Sequence, residues 1–306
     1  MIRGAVLGGN VSKSRSPAIH HAAFRALGID GSYDGHSVDG ADFRRLVAEL
    51  AAAGYDYVNV TIPHKRAAAL VADQTSPLVK AVAAANTLIF NRRGKTRGKP
   101  GKVHVRAENT DGYGLIMALA DAGVELGRGD VVVLLGSGGA AAGGLAALVA
   151  TGATVRILAR RPAMARALRR RFGARARTRI EVHAWTPAAT AAALKGAAAA
   201  ISSVPADVFT DPAAFAGLDA LERQTVVIEM AYGDATPLGS FVKARKRRYQ
   251  DGIPMLVHQA ARTIELVTGH LPPTAPLMRA ARRAPVIVGP SLGLPGRTVL
   301  VAPVAR

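Results

Sequence analysis

The stretch VVVLLGSGGAAAGGLAAL, residues 131–148, decides the fold. An apolar, valine-rich run meets Gly136 and Gly138, and Ala141 stands where a G-x-G-x-x-G/A fingerprint has its third small residue. Gly136 permits a tight turn, and Gly138 lets a pyrophosphate approach the backbone. Ala141 lets the following helix pack on the strand, so that phosphates lie over the helix N-terminal N–H groups. Residues 131–155 carry no charge, but six glycines interrupt them. That pattern reads as strand, turn and helix of a dinucleotide-binding unit rather than as a membrane span. The expected phosphate loop is Gly136, Ser137, Gly138, Gly139 and Ala140.

The next strand, TVRIL (154–158), runs into Ala159-Arg160-Arg161-Pro162. A site preferring NAD would place an acid there for the ribose 2′-hydroxyl. Two arginines instead suit the anionic 2′-phosphate of NADP, because guanidinium forks pair with phosphate oxygens. The competing reading is two more arginines in an arginine-rich chain. Downstream, the spacing predicts a helix over 162–172 and strands over 179–184, 197–202 and 225–230. A long amphipathic helix is expected over 255–269.

Upstream, strands are expected at 2–8, 32–38 and 57–62, with helices at 16–28 and 42–54 between them; Pro17 and Gly28 punctuate the first helix. Strand alternating with helix implies a largely parallel sheet. The fold class is therefore α/β: an N-terminal α/β domain with a mainly parallel sheet, plus a C-terminal Rossmann-like domain. The expected boundaries are 1–109 (completed by a helix at about 255–282), 110–254, and an extension over 285–306. RRGKTRGKPGKVHVR (92–106) reads as a long exposed hairpin.

A chain of 306 residues, 49% of them hydrophobic and with a mean hydropathy of +0.17, buries a sizeable core and is not disordered. It has no cysteine, which excludes disulfides, thiolate catalysis and cysteine-ligated zinc. That usage fits a reducing cytoplasm, and MIRGAVLGGNVSKS does not read as a signal peptide. The histidines show no metal-ligand spacing. The net charge of +19 concentrates in RALRRRFGARARTR (166–179) and KARKRR (243–248). No recognised nucleic-acid motif and few aromatics accompany it, so an arginine-rich solvated surface without a specific nucleic-acid partner is expected.

Four further fragments are VSKSRSPAIH (11–20), NVTIPHK (59–65), AANTL (84–88) and ENTDGYG (108–114). Together with the glycine loop and DGIPMLVHQAA (251–261), they resemble the shikimate dehydrogenase family in order over roughly residues 2–282. The resemblance implies reduction of 3-dehydroshikimate to shikimate by NADPH, with a substrate domain, a Rossmann-like NADP domain and a cleft between them. It implies that Lys65 and Asp111 are the catalytic pair. Ser14 and Ser16 would hold the substrate carboxylate, and Thr61, Asn86 and Gln259 would meet ring hydroxyls or line the site. Tyr232 would contact substrate, while Arg160, Arg161 and Gly252 would join the phosphate loop on the cofactor. A monomer or homodimer working on a small molecule, without a membrane, is expected.

The chemistry is consistent with those residue types. Reducing a ketone needs a hydride from the cofactor and a proton at the carbonyl oxygen, which Lys65 can give while Asp111 orients it. Each residue alone has a blander reading. Ser14 and Ser16 suit a turn and helix cap before Pro17, Asp111 a helix cap, Asn59 and Asn86 loop backbone, and Lys65 the surface. Lys13 stands where the family usually has histidine, Ala159-Arg160-Arg161 replaces its N-R-T, and Ser202-Ser203-Val204 a commoner N-A-T. The nearest enzyme alternative is a quinate/shikimate or aminoshikimate dehydrogenase; quinate-accepting members often carry threonine at the second serine position, so Ser16 favours shikimate. A noncatalytic NADP- or polyanion-binding protein is the reading from another class, suggested by charge alone.

Overall fold

The computed structural model describes residues 1–93, 102–233, 235–284 and 299–300. The tip of the expected 92–106 hairpin and most of the tail beyond Pro285 lie outside the described residues. Two compact units emerge: the described parts of Met1–Thr110 with Val257–Arg306, and Asp111–Leu256.

The first unit is built on strands β1 (Ile2–Gly8), β2 (Gly31–Ser37), β3 (Tyr57–Val60), β4 (Gln74–Thr75), β5 (Thr87–Arg93) and β6 (Lys102–Glu108). They lie in the order β2-β1-β3-β5-β6-β4, and Val299–Leu300 pair antiparallel to β2 outside them. β5 is the reversed strand, antiparallel to both β3 and β6. The eight residues between β5 and β6 are fewer than the crossover a parallel pair requires. The third strand ends at Val60 rather than at residue 62. Thr61 to Pro63 form a turn with a cis Ile62–Pro63 peptide, and the helix Lys65–Val71 starts behind it.

Alternation along β3 sends Val58 and Val60 to one face and Tyr57 and Asn59 to the other. The first face packs with Leu7, Leu46, Val47, Leu50, Leu88 and Phe90 beneath the helix Phe43–Ala52. The second meets the helix Ser16–Leu27, which Gly28 ends in the left-handed conformation at φ +64°. The helix expected over about 255–282 is two, Ile253–Thr268 and Thr274–Arg283; the second packs on Ser16–Leu27 with Leu277 and Ala281 fully buried, and Arg15 Nη1 donates to Ala281 O at 2.7 Å.

The second unit holds β7 (Val131–Leu135), β8 (Thr154–Ala159), β9 (Ile180–Ala184), β10 (Ala199–Ser202), β11 (Val226–Glu229) and β12 (Arg248–Gln250). All five pairings are parallel, in the order β12-β11-β10-β7-β8-β9. The chain winds outward from β7 through β8 to β9, then restarts on the other side with β10. That reversal is the doubly wound switch point, and ligands bind outside the strand carboxyl ends there. The helices Asp111–Asp121 and Gly139–Thr151 approach so closely that a Cβ on Gly112 would lie 2.8 Å from Gly143 O. Within the described residues no helix is long and apolar enough to cross a membrane.

Candidate active site

In the first unit one end of the sheet gathers the expected residues. Leu7 pairs with Val60, so the loop carrying Ser14 and Ser16 leaves β1 beside the turn carrying Thr61. Thr61 N–H donates to Leu7 O at 2.8 Å, and Gly9 N–H donates to Ile62 O at 3.0 Å. A side chain on Gly8 would strike Thr61 Cγ2 at 2.5 Å, so the two strand ends touch. Asn59 faces Thr87 across β3 and β5, and Thr87 faces Glu108 across β5 and β6. Asn86 and Thr110 therefore reach the same end.

Neither serine caps the helix after it. Arg15 occupies that position and makes no side-chain cap, while Ser16 N–H donates to Ser14 Oγ at 3.3 Å. Ser16 is buried and Ser14 half-buried. Ser14 Oγ thus serves the turn that opens the helix, as the blander reading has it, although neither serine is the N-cap residue.

Lys65 is half-buried and opens the helix Lys65–Val71. Its carbonyl accepts from Ala85 N–H at 2.8 Å, which ties it to the segment carrying Asn86. The preceding His64 is buried in the core. Its Nε2 bonds Val38 O at 2.7 Å and its ring stacks on Phe43 with centroids 4.9 Å apart. His64 thus anchors the turn that precedes Lys65.

Asn86, 3% exposed, has its side chain fully occupied within the protein. Nδ2 donates to Thr110 Oγ1 (2.9 Å) and Gln259 Oε1 (3.1 Å). Oδ1 accepts from Thr110 N–H (2.8 Å) and Thr87 Oγ1 (3.1 Å). Asn59 does hold loop backbone, donating from Nδ2 to Asn86 O at 3.3 Å, but it does more than that. It sits within the strand, accepts from Tyr33 Oη at 2.8 Å, and donates to Thr87 Oγ1 and Thr263 Oγ1 at 3.1 and 3.2 Å. Behind Tyr33 lies His20, stacked on it with centroids 3.9 Å apart and bonded to Tyr57 Oη at 2.7 Å. Burial first, then the neighbouring His21 charge, lowers its pKa to about 3. Thr110, Thr263, Tyr33 and His20 are supports that sequence reading passed over. The available signal for Thr263 was its spacing of four from Gln259, which stacks both on one helix face.

In the second unit Asp111 is the first residue of the helix Asp111–Asp121 and is 4% exposed. A carboxylate in a first helical turn is favoured by the helix dipole. Gly136 follows β7 at φ +103°, where a Cβ would also meet Ser203 Oγ at 2.7 Å. Gly138 is the N-cap of Gly139–Thr151 without a side-chain cap, and its missing Cβ would find nothing within 4 Å. The uncapped N–H groups and the open space over Gly138 fit a bound pyrophosphate. Gly136 N–H bonds Leu158 O at 2.9 Å, so exposed Arg160 and Arg161, just past β8, border the loop. Ser203, half-buried, donates to Leu135 O at 2.7 Å from the other side of the switch point.

Tyr232, half-buried, lies between β11 and the helix Pro237–Ala244. That segment is tied down at Glu229, whose Oε2 accepts from Thr236 Oγ1 and, at 2.7 Å, from Tyr249 Oη. Gly252 supports it from below: its N–H donates to Ala231 O at 3.0 Å, and a Cβ there would collide with Met230 O. Gly252 is thus a backbone-contact glycine, set beside the segment carrying Tyr232. No group of three potential metal ligands occurs among the described residues.

The family description "Shikimate dehydrogenase substrate binding domain" matches residues 6–88. A shikimate dehydrogenase (NADP(+)) of Dinoroseobacter shibae is 35% identical over 282 residues, which span 91% of this chain and 96% of that protein. The chain belongs to the shikimate dehydrogenase family. Solved members of this family share its architecture. The Thermus thermophilus shikimate 5-dehydrogenase, in complex with NADP(H) and shikimate, superposes with a TM-score of 0.77 at 29% identity, over 92% of this chain and 99% of that one. The Mycobacterium tuberculosis shikimate dehydrogenase gives 0.77 at 29% identity, over 93% and 100%.

Proposed function

We propose that this chain is an NADP-dependent shikimate dehydrogenase that interconverts 3-dehydroshikimate and shikimate. The observation that carries the reading is membership of the family along almost the whole chain, 35% identical over 282 residues to a shikimate dehydrogenase (NADP(+)). Gly136–Ala140, Arg160, Arg161 and Gly252 would hold NADPH, the two arginines suiting a 2′-phosphate, and the cofactor would supply the hydride.

The protein residues hold the substrate and handle the proton. Ser14 and Ser16 offer hydroxyls to the carboxylate. Lys65 gives its proton to the ketone oxygen as that carbon accepts hydride, and Asp111 accepts the hydrogen bond of the new hydroxyl. The Asn86–Gln259 bond is the place for a ring hydroxyl: it can accept from Asn86 and donate to Gln259, replacing the 3.1 Å contact without stranding either amide. Thr61 and Tyr232 complete the contacts. Ser16 supports shikimate over quinate.

The test follows NADP+ reduction at 340 nm with shikimate, quinate or neither. Wild type is expected to turn over shikimate, and Lys65→Ala to lose at least a thousandfold in kcat while still binding NADP+. A mutant as fast as wild type removes Lys65 from the chemistry; quinate outpacing shikimate transfers the assignment to a quinate dehydrogenase.

A further inference from the structure

The segment 160–179 carries nine arginines and no acid. Its helix Pro162–Arg170 sets Arg166, Arg169 and Arg170 on one side by i, i+3, i+4 spacing. The following turn, Ala174–Arg177, folds Arg177 back toward them. With Ala174 and Thr178 they line a cavity of about 450 Å³. Arg169 Nε donates to Arg177 O at 3.2 Å, which ties the helix to the following turn and leaves the terminal guanidinium N–H groups for a ligand. No ion pair to a carboxylate of the described residues involves any of the four.

The other basic run is used differently. Arg245 pairs with Asp219 at 2.8 Å and lies 3.5 Å over the Phe241 ring. Arg247 and Arg248 donate to Leu221 O and Ala122 O. Arginine richness alone therefore does not explain the hollow, since residues of equal charge elsewhere are spent on the fold. Nor is it the cofactor loop. Arg161 precedes the helix, and Arg166 to Arg170 lie about 8–14 Å further along its axis at 1.5 Å per residue.

We infer that this hollow is a second anion site, which takes a compact polyphosphate: two or more linked phosphate groups, inorganic or the tail of a nucleotide. Guanidinium forks bind phosphate oxygens in pairs, and four cations around one space repel each other until an anion joins them. No aromatic side chain lines the cavity, so nothing there stacks a base.

Calorimetric titration of the intact protein with tripolyphosphate, with and without saturating NADP+, tests this. One equivalent is expected to bind with the same Kd in both, at least tenfold weaker in the Arg166→Gln/Arg170→Gln double variant and unchanged in Lys243→Gln/Lys246→Gln. The double variant should keep its melting temperature and shikimate kinetics. A parallel titration with ATP distinguishes a nucleotide tail from inorganic chains. Equal weakening in both double variants, displacement by NADP+, or non-saturating uptake of many equivalents would each overturn the proposal. So would tight binding of an oligothymidylate where tripolyphosphate does not bind, which would assign the patch to nucleic acid.

Discussion

At the scale of single residues, His20 makes a measurable claim. It is fully buried, with Nε2 lacking a partner among the described residues, and its pKa falls to about 3. The folded protein thus refuses a proton that the unfolded chain accepts below about pH 6.5. Above that pH the group is neutral in both states and costs nothing. As pH drops toward 3, stability is lost at about 1.4 kcal/mol per pH unit. Urea unfolding at pH 7 and pH 5 should show wild type losing about 2 kcal/mol more than His20→Gln; equal losses would refute the assignment. Lys65, Asp111 and the serines could be proposed from sequence because each falls in a short motif of unusual composition. His20, Asn59 and Thr263 could not. Their meaning lies in partners far away along the chain, such as Thr263 against Asn59, and no local pattern announces such a pairing.

At the scale of elements, the glycine loop separates two duties that one motif conceals. Gly136 is required by the backbone itself, through φ +103° and the crowding of Ser203, whereas Gly138 faces open space. Gly136→Ala should therefore destabilise the protein by about 1–3 kcal/mol as well as weaken NADP+. Gly138→Ala should stay within about 1 kcal/mol of wild type yet bind NADP+ at least tenfold more weakly. Thermal melts beside cofactor titrations check the split, and a Gly138→Ala protein with full NADP+ affinity would argue against phosphate lying there. The parallel strands of the second unit were readable as apolar runs at regular spacing. The early end of β3 was not, because Thr61 and Ile62 continue a strand-like composition while the turn belongs to the backbone. The completing helix is expected from sequence to run on to about residue 282; Gly269, Pro272 and Pro273 break it, and a separate helix starts at Thr274.

At the scale of the molecule, the second unit is continuous in sequence and the first is not. Residues 111–256 expressed alone should fold and bind NADP+, detected by a cooperative melt shifted upward by the cofactor. Residues 1–110 alone should not fold cooperatively, since they lack Gln259 and Thr263 for the Asn86 and Asn59 network and the helix that covers Ser16–Leu27. A cooperative melt from 1–110 would show that the sheet is self-sufficient.

The stacking of His64 on Phe43 bears on how natural variation in this chain should be interpreted. Phe43 is 1% exposed, on a helix that carries none of the residues assigned to catalysis. A survey sorting substitutions by proximity to the chemistry would file position 43 under fold maintenance. Yet it is the surface against which the turn before Lys65 is seated. A leucine there would appear in a genetic screen as a loss of activity in a protein of normal abundance, a phenotype ordinarily credited to the active site.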